Sequence, residues 1–266
     1  MQANEKLAVL KNNLASMRSL VLGYSGGVDS TFLMVIARQV LGDNLLAVTA
    51  ISPTLSQREQ TEAIETAKKI GVKHLLIDVE PFDIPGYGEN PPDRCYLCKS
   101  QLFTRLWEIA HDRGIEHLVD GSNVDDLGDY RPGLIALQEL KVSSPLLEAG
   151  MNKADIRELS RVMGLATWDK PAAACLASRF PYGQRIDREQ LSRVEKAEDY
   201  LCELGFKQVR VRVHNDLARI EVSREERSRF FDEALMDHVS EQFRVFGFKY
   251  ISLDLQGYRS GSLNPI

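Results

Sequence analysis

The sequence predicts an α/β fold, in which a parallel sheet occupies the first part of the chain and a small α+β domain follows it. Up to about residue 170, short apolar runs rich in β-branched residues alternate with amphipathic helical patterns. One of these runs leads through a glycine-rich turn directly into a helix. After Asp169-Lys170-Pro171 the order of elements changes. We therefore expect one domain over residues 1–170 and a second over 171–266.

The elements of the first domain follow from hydrophobic periodicity and from turn residues. Its strand candidates are residues 20–24, 45–51, 74–79, 117–120 and 141–144. A helix is expected over 56–70, ended by Gly71, and the proline- and glycine-rich stretch 80–93 is expected to be a loop. Ligands of such sheets bind beyond the carboxyl ends of the strands. The loops at that edge therefore hold the candidate site.

The second domain is predicted to be a small α+β unit. A helical pattern over 187–204 precedes two alternating strands, 209–214 and 217–222, which Asn215-Asp216 joins as a hairpin. A helix near 224–246 and a strand over 250–255 complete the pattern.

Composition limits the classes of function. The 266 residues carry a net charge of -5, which disfavours a broad nucleic-acid-binding surface. No run of about 18 apolar residues and no secretory signal pattern occurs, so we expect no membrane segment and a cytoplasmic location. In a reducing compartment, the four cysteines indicate metal, cluster or sulfur chemistry rather than disulfides.

The turn at residues 25–30, Ser-Gly-Gly-Val-Asp-Ser, is the most informative motif. Gly26 and Gly27 can adopt backbone angles closed to other residues, so successive N–H groups can face one anion at the positive end of the following helix. Neither a Walker A pattern nor G-x-G-x-x-G is present. We expect the ligand to be phosphate or pyrophosphate.

The S-G-G-x-D-S pattern resembles the PP-loop of N-type ATP pyrophosphatases, which split ATP into AMP and pyrophosphate. The resemblance implies a PP-loop domain, ATP as cosubstrate and Mg²⁺ as cofactor, with Asp29 organising the loop or its metal ion. It assigns pyrophosphate binding to Ser25, Gly26, Gly27 and Ser30. Past a neighbouring strand end, we expect nucleotide contacts from Gly121, Asn123 and Asp126.

Three cysteines are candidate ligands of a metal group. Cys95 and Cys98 open a predicted helix and lie on one side of its first turn, and Cys175 lies near the domain junction. Cys202 occupies an apolar helical position and is expected to be a core residue. A 4Fe-4S cluster with one open iron, structural zinc, a redox pair and simple buried thiols are all compatible with the pattern. We favour the cluster, because its open iron can bind a substrate sulfur.

Further motifs make the resemblance more specific. Together with the loop, the segments 120–126, 129–133, 178–183, 209–216 and 253–261 are similar to those of the LarE family. Its members insert sulfur during assembly of the nickel-pincer cofactor of lactate racemase. The resemblance implies pyridinium-3,5-biscarboxylic acid mononucleotide as the substrate, thiocarboxylates as products, and a homohexamer. Some members sacrifice the sulfur of one cysteine, whereas others carry three cysteines and a cluster, and this chain has the three-cysteine pattern.

The phosphate of such a substrate needs cationic ligands. Arg210 and Arg212 alternate with valines and project from one strand face, and Arg179 is a third candidate, although a solvated strand face would show the same pattern. By resemblance, Glu198 is a candidate metal or substrate contact. Tyr130 and Arg131 are candidates for the border of the substrate site.

Other functions remain open at this point. A PP-loop tRNA thiolation enzyme also combines ATP with a CxxC motif, but its substrate calls for a basic surface. Amide-forming PP-loop synthetases have no need of three thiols. A nucleotide-sensing module would bind ATP without releasing pyrophosphate.

Overall fold

The structure is a computed structural model that describes residues 2–128, 132–171 and 174–259. The chain divides into two compact units. The first comprises Met1–Ile84 and Asp93–Ala173, and the second comprises Pro85–Pro92 and Ala174–Ile266.

A parallel four-stranded sheet forms the centre of the first unit, as the sequence predicts. Its strands are β1 Leu20–Gly23, β2 Leu45–Ile51, β3 Lys73–Asp78 and β4 Leu118–Val119. Their order across the sheet is β3-β2-β1-β4, so β1 has one partner that follows it closely in sequence and one that comes much later. The carboxyl end of β1 therefore lies at the point where the strand order reverses, which is where open α/β sheets bind ligands.

Helices cover both faces of this sheet. They are α1 Ala3–Met17, α2 Val28–Leu41, α3 Gln57–Ile70, α4 Arg94–His111, α5 Gly133–Glu139, α6 Pro145–Glu148 and α7 Lys153–Val162. Leu20 and Leu22 pack into the core formed with α1, α2, α3 and α7, whereas Val21 packs into the core formed with α4 and α5. Because successive side chains of a strand point to opposite faces, β1 contributes to both cores, and Leu20, Val21 and Leu22 are fully buried.

The expected bounds of α3 are confirmed by its caps. The Ser56 Oγ atom accepts a hydrogen bond from the backbone N–H of Glu59 at 3.3 Å, and Gly71 ends the helix with a φ of +75°. The expected strand at 141–144 was wrong. Lys141 has a φ of +55°, and Ser143 forms only an isolated parallel bridge with Val119 before α6 begins.

The second unit is built on a three-stranded sheet. Its elements are α8 Arg188–Glu203, β5 Val209–His214, β6 Leu217–Val222, α9 Glu233–Val245 and β7 Tyr250–Leu253. β5 and β6 form the expected antiparallel hairpin, with Asn215 at a φ of +56° in the turn, and β7 pairs with β6 in parallel. The single helix expected near 224–246 was wrong, because Asp232 separates a short 3-10 segment from α9 and caps α9 by accepting from the N–H of Ala234 at 2.9 Å.

The segment 85–92 belongs to the second unit, although the sequence places it in the first domain. Asn90 is fully buried, and its amide nitrogen donates to the carbonyl oxygens of Phe180 at 3.4 Å and Pro181 at 2.8 Å. Backbone hydrogen bonds from Gly183 to Asn90 and from Ile186 to Gly88 complete this attachment. Buried backbone and amide groups need partners, and here residues 180–186 supply them.

None of the helices in the described part of the chain combines the length and the apolar character needed to cross a membrane.

Candidate functional site

The turn between β1 and α2 has the geometry of an anion cradle. Gly26 has a φ of +72°, and a Cβ atom added to it would lie 2.7 Å from the Cβ of Ala63 on α3. The Oγ atoms of Ser25 and Ser30 lie 3.0 Å apart, across the mouth of the turn. Gly27 occupies the N-cap and brings no side chain to cover the first N–H groups of α2. The positive end of α2 therefore faces the space beside the two serines.

Asp29, in the first turn of α2, forms an ion pair that the sequence analysis did not find. The Nζ atom of Lys153 lies 3.1 Å from its Oδ2 atom, whereas Oδ1 is buried and has no hydrogen-bond partner among the described residues. Burial raises the pKa of Asp29 above its ordinary value, Lys153 opposes this, and the nearby Asp126 adds to it. A carboxylate oxygen left without a donor in such a place suits a hard cation such as Mg²⁺.

Lys170 is a second lysine at the turn that the sequence analysis left without a role. Its Nζ atom donates to the carbonyl oxygen of Gly26 at 3.2 Å and lies 2.8 Å from a carboxylate oxygen of Glu62. Arg157 holds the same segment by donating to the carbonyl oxygens of Trp168 and Lys170 at 2.8 and 2.7 Å. The two lysines place positive charge beside a loop that has no lysine of its own.

The loop after β4 lies against the same turn. A Cβ atom on Gly121 would lie 3.1 Å from the Cα of Ser30, so a larger residue here would push the first turn of α2 away by a few tenths of an ångström. Asp126 accepts from the N–H of Asn123 at 2.9 Å, and the Asn123 Oδ1 atom accepts from the N–H of Asp125 at 2.9 Å. The Nδ2 atom of Asn123 is buried and has no hydrogen-bond partner among the described residues. This amide is a donor available to a ligand at the strand edge.

The Cys-x-x-Cys motif lies in the first turn of α4, as expected. Cys95 and Cys98 are half-buried and three residues apart in the helix, so both thiols lie on one side of it. Cys175 belongs to the second unit and is also half-buried. Cys202 on α8, which was expected to be a core residue, is half-buried as well and lies outside the buried core. Within residues 2–128, 132–171 and 174–259, no group of three or more His, Cys, Asp or Glu side chains is arranged to hold a metal ion.

In the second unit, Arg179 and Glu198 form a bidentate ion pair. The Nε and Nη2 atoms of Arg179 donate to the two carboxylate oxygens of Glu198 at 2.9 and 2.8 Å. One of these oxygens also accepts from the N–H of Val211 at 2.8 Å. Burial alone would raise the pKa of Glu198, but the charges of Arg179 and Arg210 and the hydrogen bonds outweigh it, and the pKa lies below its ordinary value.

Arg210 and Arg212 are buried rather than solvated, and the valines that alternate with them are buried on the opposite face of β5, so both faces of this strand are covered. The Nε atom of Arg212 lies 3.1 Å from Glu221, and its Nη1 atom donates to the carbonyl oxygen of Ser178 at 3.0 Å. The Arg210 guanidinium lies 5.5 Å from the centre of the Tyr258 ring. Burial lowers the pKa of both arginines, and each is lowered further by Arg179. This concentration of buried guanidinium groups is suited to an anionic ligand.

The structure brings most of the predicted site residues into two groups. Tyr130 and Arg131 lie outside the described residues. The loop residues 25–30 and the residues Gly121, Asn123 and Asp126 come together at one sheet edge. The residues Arg179, Glu198, Arg210 and Arg212 come together in the second unit.

Comparison with known proteins identifies the family. The model of the NAD synthase family matches residues 3–87, which include β1, the turn and α2. An uncharacterized protein of Synechocystis is 44% identical over 98% of this chain and 97% of its own length. The pyridinium-3,5-bisthiocarboxylic acid mononucleotide synthase of Lactiplantibacillus plantarum is 38% identical over 97% of this chain and 94% of its own length. The chain belongs to the LarE family.

The LarE family uses ATP through a PP-loop for sulfur transfer, and the parallel sheet, the glycine turn and α2 are the corresponding parts here. More distant matches agree with the ATP-using part of this assignment. The GMP synthase of Chlamydia caviae is 26% identical over 73% of this chain and 41% of its own length.

Proposed function

We propose that the protein adenylylates the carboxylates of pyridinium-3,5-biscarboxylic acid mononucleotide and converts them to thiocarboxylates. The observation that carries the proposal is the 38% identity, along 97% of the chain, to a synthase named for the bisthiocarboxylic product. The geometry of residues 25–30 supports the ATP half of the reaction, because the turn presents serines and a helix N-terminus to an anion.

Activation is required because a carboxylate resists attack by sulfur. A carboxylate oxygen of the substrate attacks the α-phosphorus of ATP, the bond to the bridging oxygen breaks, and pyrophosphate leaves with that bonding electron pair. The turn at 25–30 binds the leaving group, and Lys153 and Lys170 supply positive charge nearby. Asp29 would hold Mg²⁺, which offsets the charge of the phosphates when bound. Asn123 donates to the nucleotide through its buried amide.

Sulfur then replaces AMP on the activated carbon. A sulfide donor attacks the acyl carbon, the bond to the AMP oxygen breaks, and AMP leaves as the thiocarboxylate forms. Cys95, Cys98 and Cys175 would hold a 4Fe-4S cluster, since thiolates are its usual ligands, and such a cluster would supply the sulfur that is transferred. In the alternative, the Cys175 thiolate attacks the acyl carbon and displaces AMP, and loss of the Cys175 α-proton then cleaves the Cβ–S bond, which releases the thiocarboxylate and leaves dehydroalanine.

Single-turnover measurements test the reaction. Inorganic pyrophosphate and thiocarboxylate should form together, and a Cys95→Ala, Cys98→Ala, Cys175→Ala variant should release pyrophosphate while losing thiocarboxylate formation. Undiminished sulfur transfer in that variant would refute the assigned sulfur delivery, and ADP as the product would refute the adenylylation.

Protein purified without oxygen should contain iron and acid-labile sulfide. Zinc in place of iron would refute the iron-sulfur cluster and would not affect the proposed adenylylation.

The buried arginines of β5 are assigned to the phosphate of the substrate. Arg210→Lys should raise the KM for the mononucleotide about 10-fold, because a lysine cannot offer the planar pair of donors that a phosphate accepts. The KM for ATP should stay within about twofold of wild type. The control is Arg185→Lys, at an exposed position of the same unit. A change confined to the KM for ATP would contradict the assignment.

The homohexamer and the cytoplasmic location are proposals of the same kind. Exposed apolar side chains of the second unit, Phe231 and Val245 at 81% and 77% exposure, support an oligomer, since association would remove them from water.

A further inference from the structure

The guanidinium of Arg179 holds the backbone beside Cys175. Its Nη1 atom donates to the carbonyl oxygens of Ala174 and Cys175 at 2.5 and 3.1 Å and contacts the Ser178 Oγ atom at 3.0 Å. Its other two nitrogens donate to Glu198. The side chain is only 3% exposed. All three nitrogens of Arg179 are therefore engaged within the protein.

These contacts fix the conformation in which Cys175 is presented. Cys175 precedes a 3-10 turn, and its carbonyl oxygen accepts from the N–H of Ser178 at 2.9 Å as well as from Arg179. The carbonyl oxygen of Ser178 accepts in turn from Arg212 at 3.0 Å. Two buried arginines thus hold the carbonyls on both sides of the turn, while Cys175 itself stays half-buried.

Glu198 sets the orientation of Arg179. It lies on α8, and the same carboxylate accepts from the N–H of Val211 on β5. A planar guanidinium held at two points by a carboxylate can aim its remaining nitrogen in only one direction, toward the carbonyls of Ala174 and Cys175. A lysine could keep the charge, but it could not span the carboxylate and the carbonyls together.

We propose that Arg179 is a positioning residue for Cys175, aimed by Glu198, and not a ligand of the substrate phosphate. The inference deepens the proposed function and rests on it, since that function assigns Cys175 to sulfur delivery. A cysteine that must reach an activated carbon, or close a cluster, needs a defined backbone, because a misplacement of about 1 Å can cost about 100-fold in rate.

Arg179→Ala and Arg179→Lys test the proposal in single turnovers. We expect the mononucleotide concentration that gives half-maximal pyrophosphate release to stay within about twofold of wild type. The ratio of thiocarboxylate to pyrophosphate should fall about 10- to 100-fold in Arg179→Ala, with Arg179→Lys between that variant and wild type. Arg185→Ala and Arg185→Lys, at an exposed position, are the matched controls. A tenfold rise in the half-saturating concentration with an unchanged ratio would overturn the proposal and make Arg179 a substrate ligand.

A second measurement separates positioning from the chemistry of sulfur delivery. The rate at which iodoacetamide alkylates Cys175, followed on its tryptic peptide by mass spectrometry, should change several-fold in Arg179→Ala and not in Arg185→Ala. An unchanged rate would overturn the proposal. If Cys175→Ala keeps the wild-type ratio of products, the assigned sulfur delivery fails, whereas the alkylation result still decides the positioning. Should Arg179→Ala fail to fold, Glu198→Gln, which keeps the shape of the side chain, takes its place, and its alkylation rate should differ several-fold from that of wild type.

Discussion

Gly26→Ala is expected to reduce pyrophosphate release at least about 100-fold. The alanine Cβ would lie 2.7 Å from the Cβ of Ala63, and the φ of +72° is one that residues with a Cβ rarely adopt. The turn must therefore move away from α3 and change the direction of its N–H groups. Loss of a single well-placed donor to a developing anion costs about 100- to 1000-fold in rate. Pyrophosphate release under saturating ATP and mononucleotide measures the effect.

Gly71→Ala is the matched control. Gly71 has a similar φ of +75°, but nothing lies within 4 Å of the position that its Cβ would take. The Gly71→Ala substitution should cost about 1 kcal/mol of stability and leave the rate of pyrophosphate release unchanged. Equal losses of rate in the two variants would show that general destabilisation, rather than the shape of the turn, explains the effect.

Glu198→Ala is expected to lower the free energy of unfolding of the second unit by about 3–5 kcal/mol. The variant leaves the 3%-exposed Arg179 without its carboxylate and the N–H of Val211 without its acceptor. Removing one partner of a buried ion pair strands the other charge in a poorly solvated place, which costs more than the pair itself contributes. Denaturant unfolding monitored by circular dichroism measures the change. Glu203→Ala, at an exposed position on the same helix, should stay within about 0.5 kcal/mol of wild type.

The Arg179–Glu198 ion pair should also make the free energy of unfolding depend on pH in the acid range. Because the pKa of Glu198 is lower in the folded protein than its ordinary value of 4.5, the folded state binds this proton less readily than the unfolded chain does. The contribution to stability is complete above pH 4.5 and is lost as the pH falls through the folded pKa. Glu198→Gln should flatten the pH dependence of unfolding in that range. An acid limb identical to that of wild type would contradict this origin.

The turn at 25–30 could be predicted from the sequence because its conformation is local. Two glycines between an apolar strand and a helix leave few alternatives for the backbone. The expected bounds of β2, β5 and β6 were confirmed for a similar reason, since strand periodicity and turn residues agree there. The strand expected at 141–144 failed because the backbone there takes the left-handed turn at Lys141 instead of pairing along the sheet.

The lysines at the loop could not be found in this way. Lys170 is separated by 144 residues from Gly26, whose carbonyl it contacts, and no spacing rule connects the two positions. Lys153 starts a helix, where a lysine would ordinarily be interpreted as a solvated residue, yet it pairs with Asp29. Such contacts depend on how α7 packs against α2, which follows from the whole core rather than from any motif.

The sequence by itself determined where the main strands lie along the chain, the anion cradle and the family, because each of these depends on local backbone preference or on a short pattern of residues. The tertiary structure alone decided what the charged side chains do. It paired Arg179 with Glu198, buried Arg210 and Arg212, and brought two lysines to a loop that has none. A buried charge is stable only beside a partner. Which residue becomes that partner depends on how distant segments pack, and such packing produces no periodic pattern in the sequence.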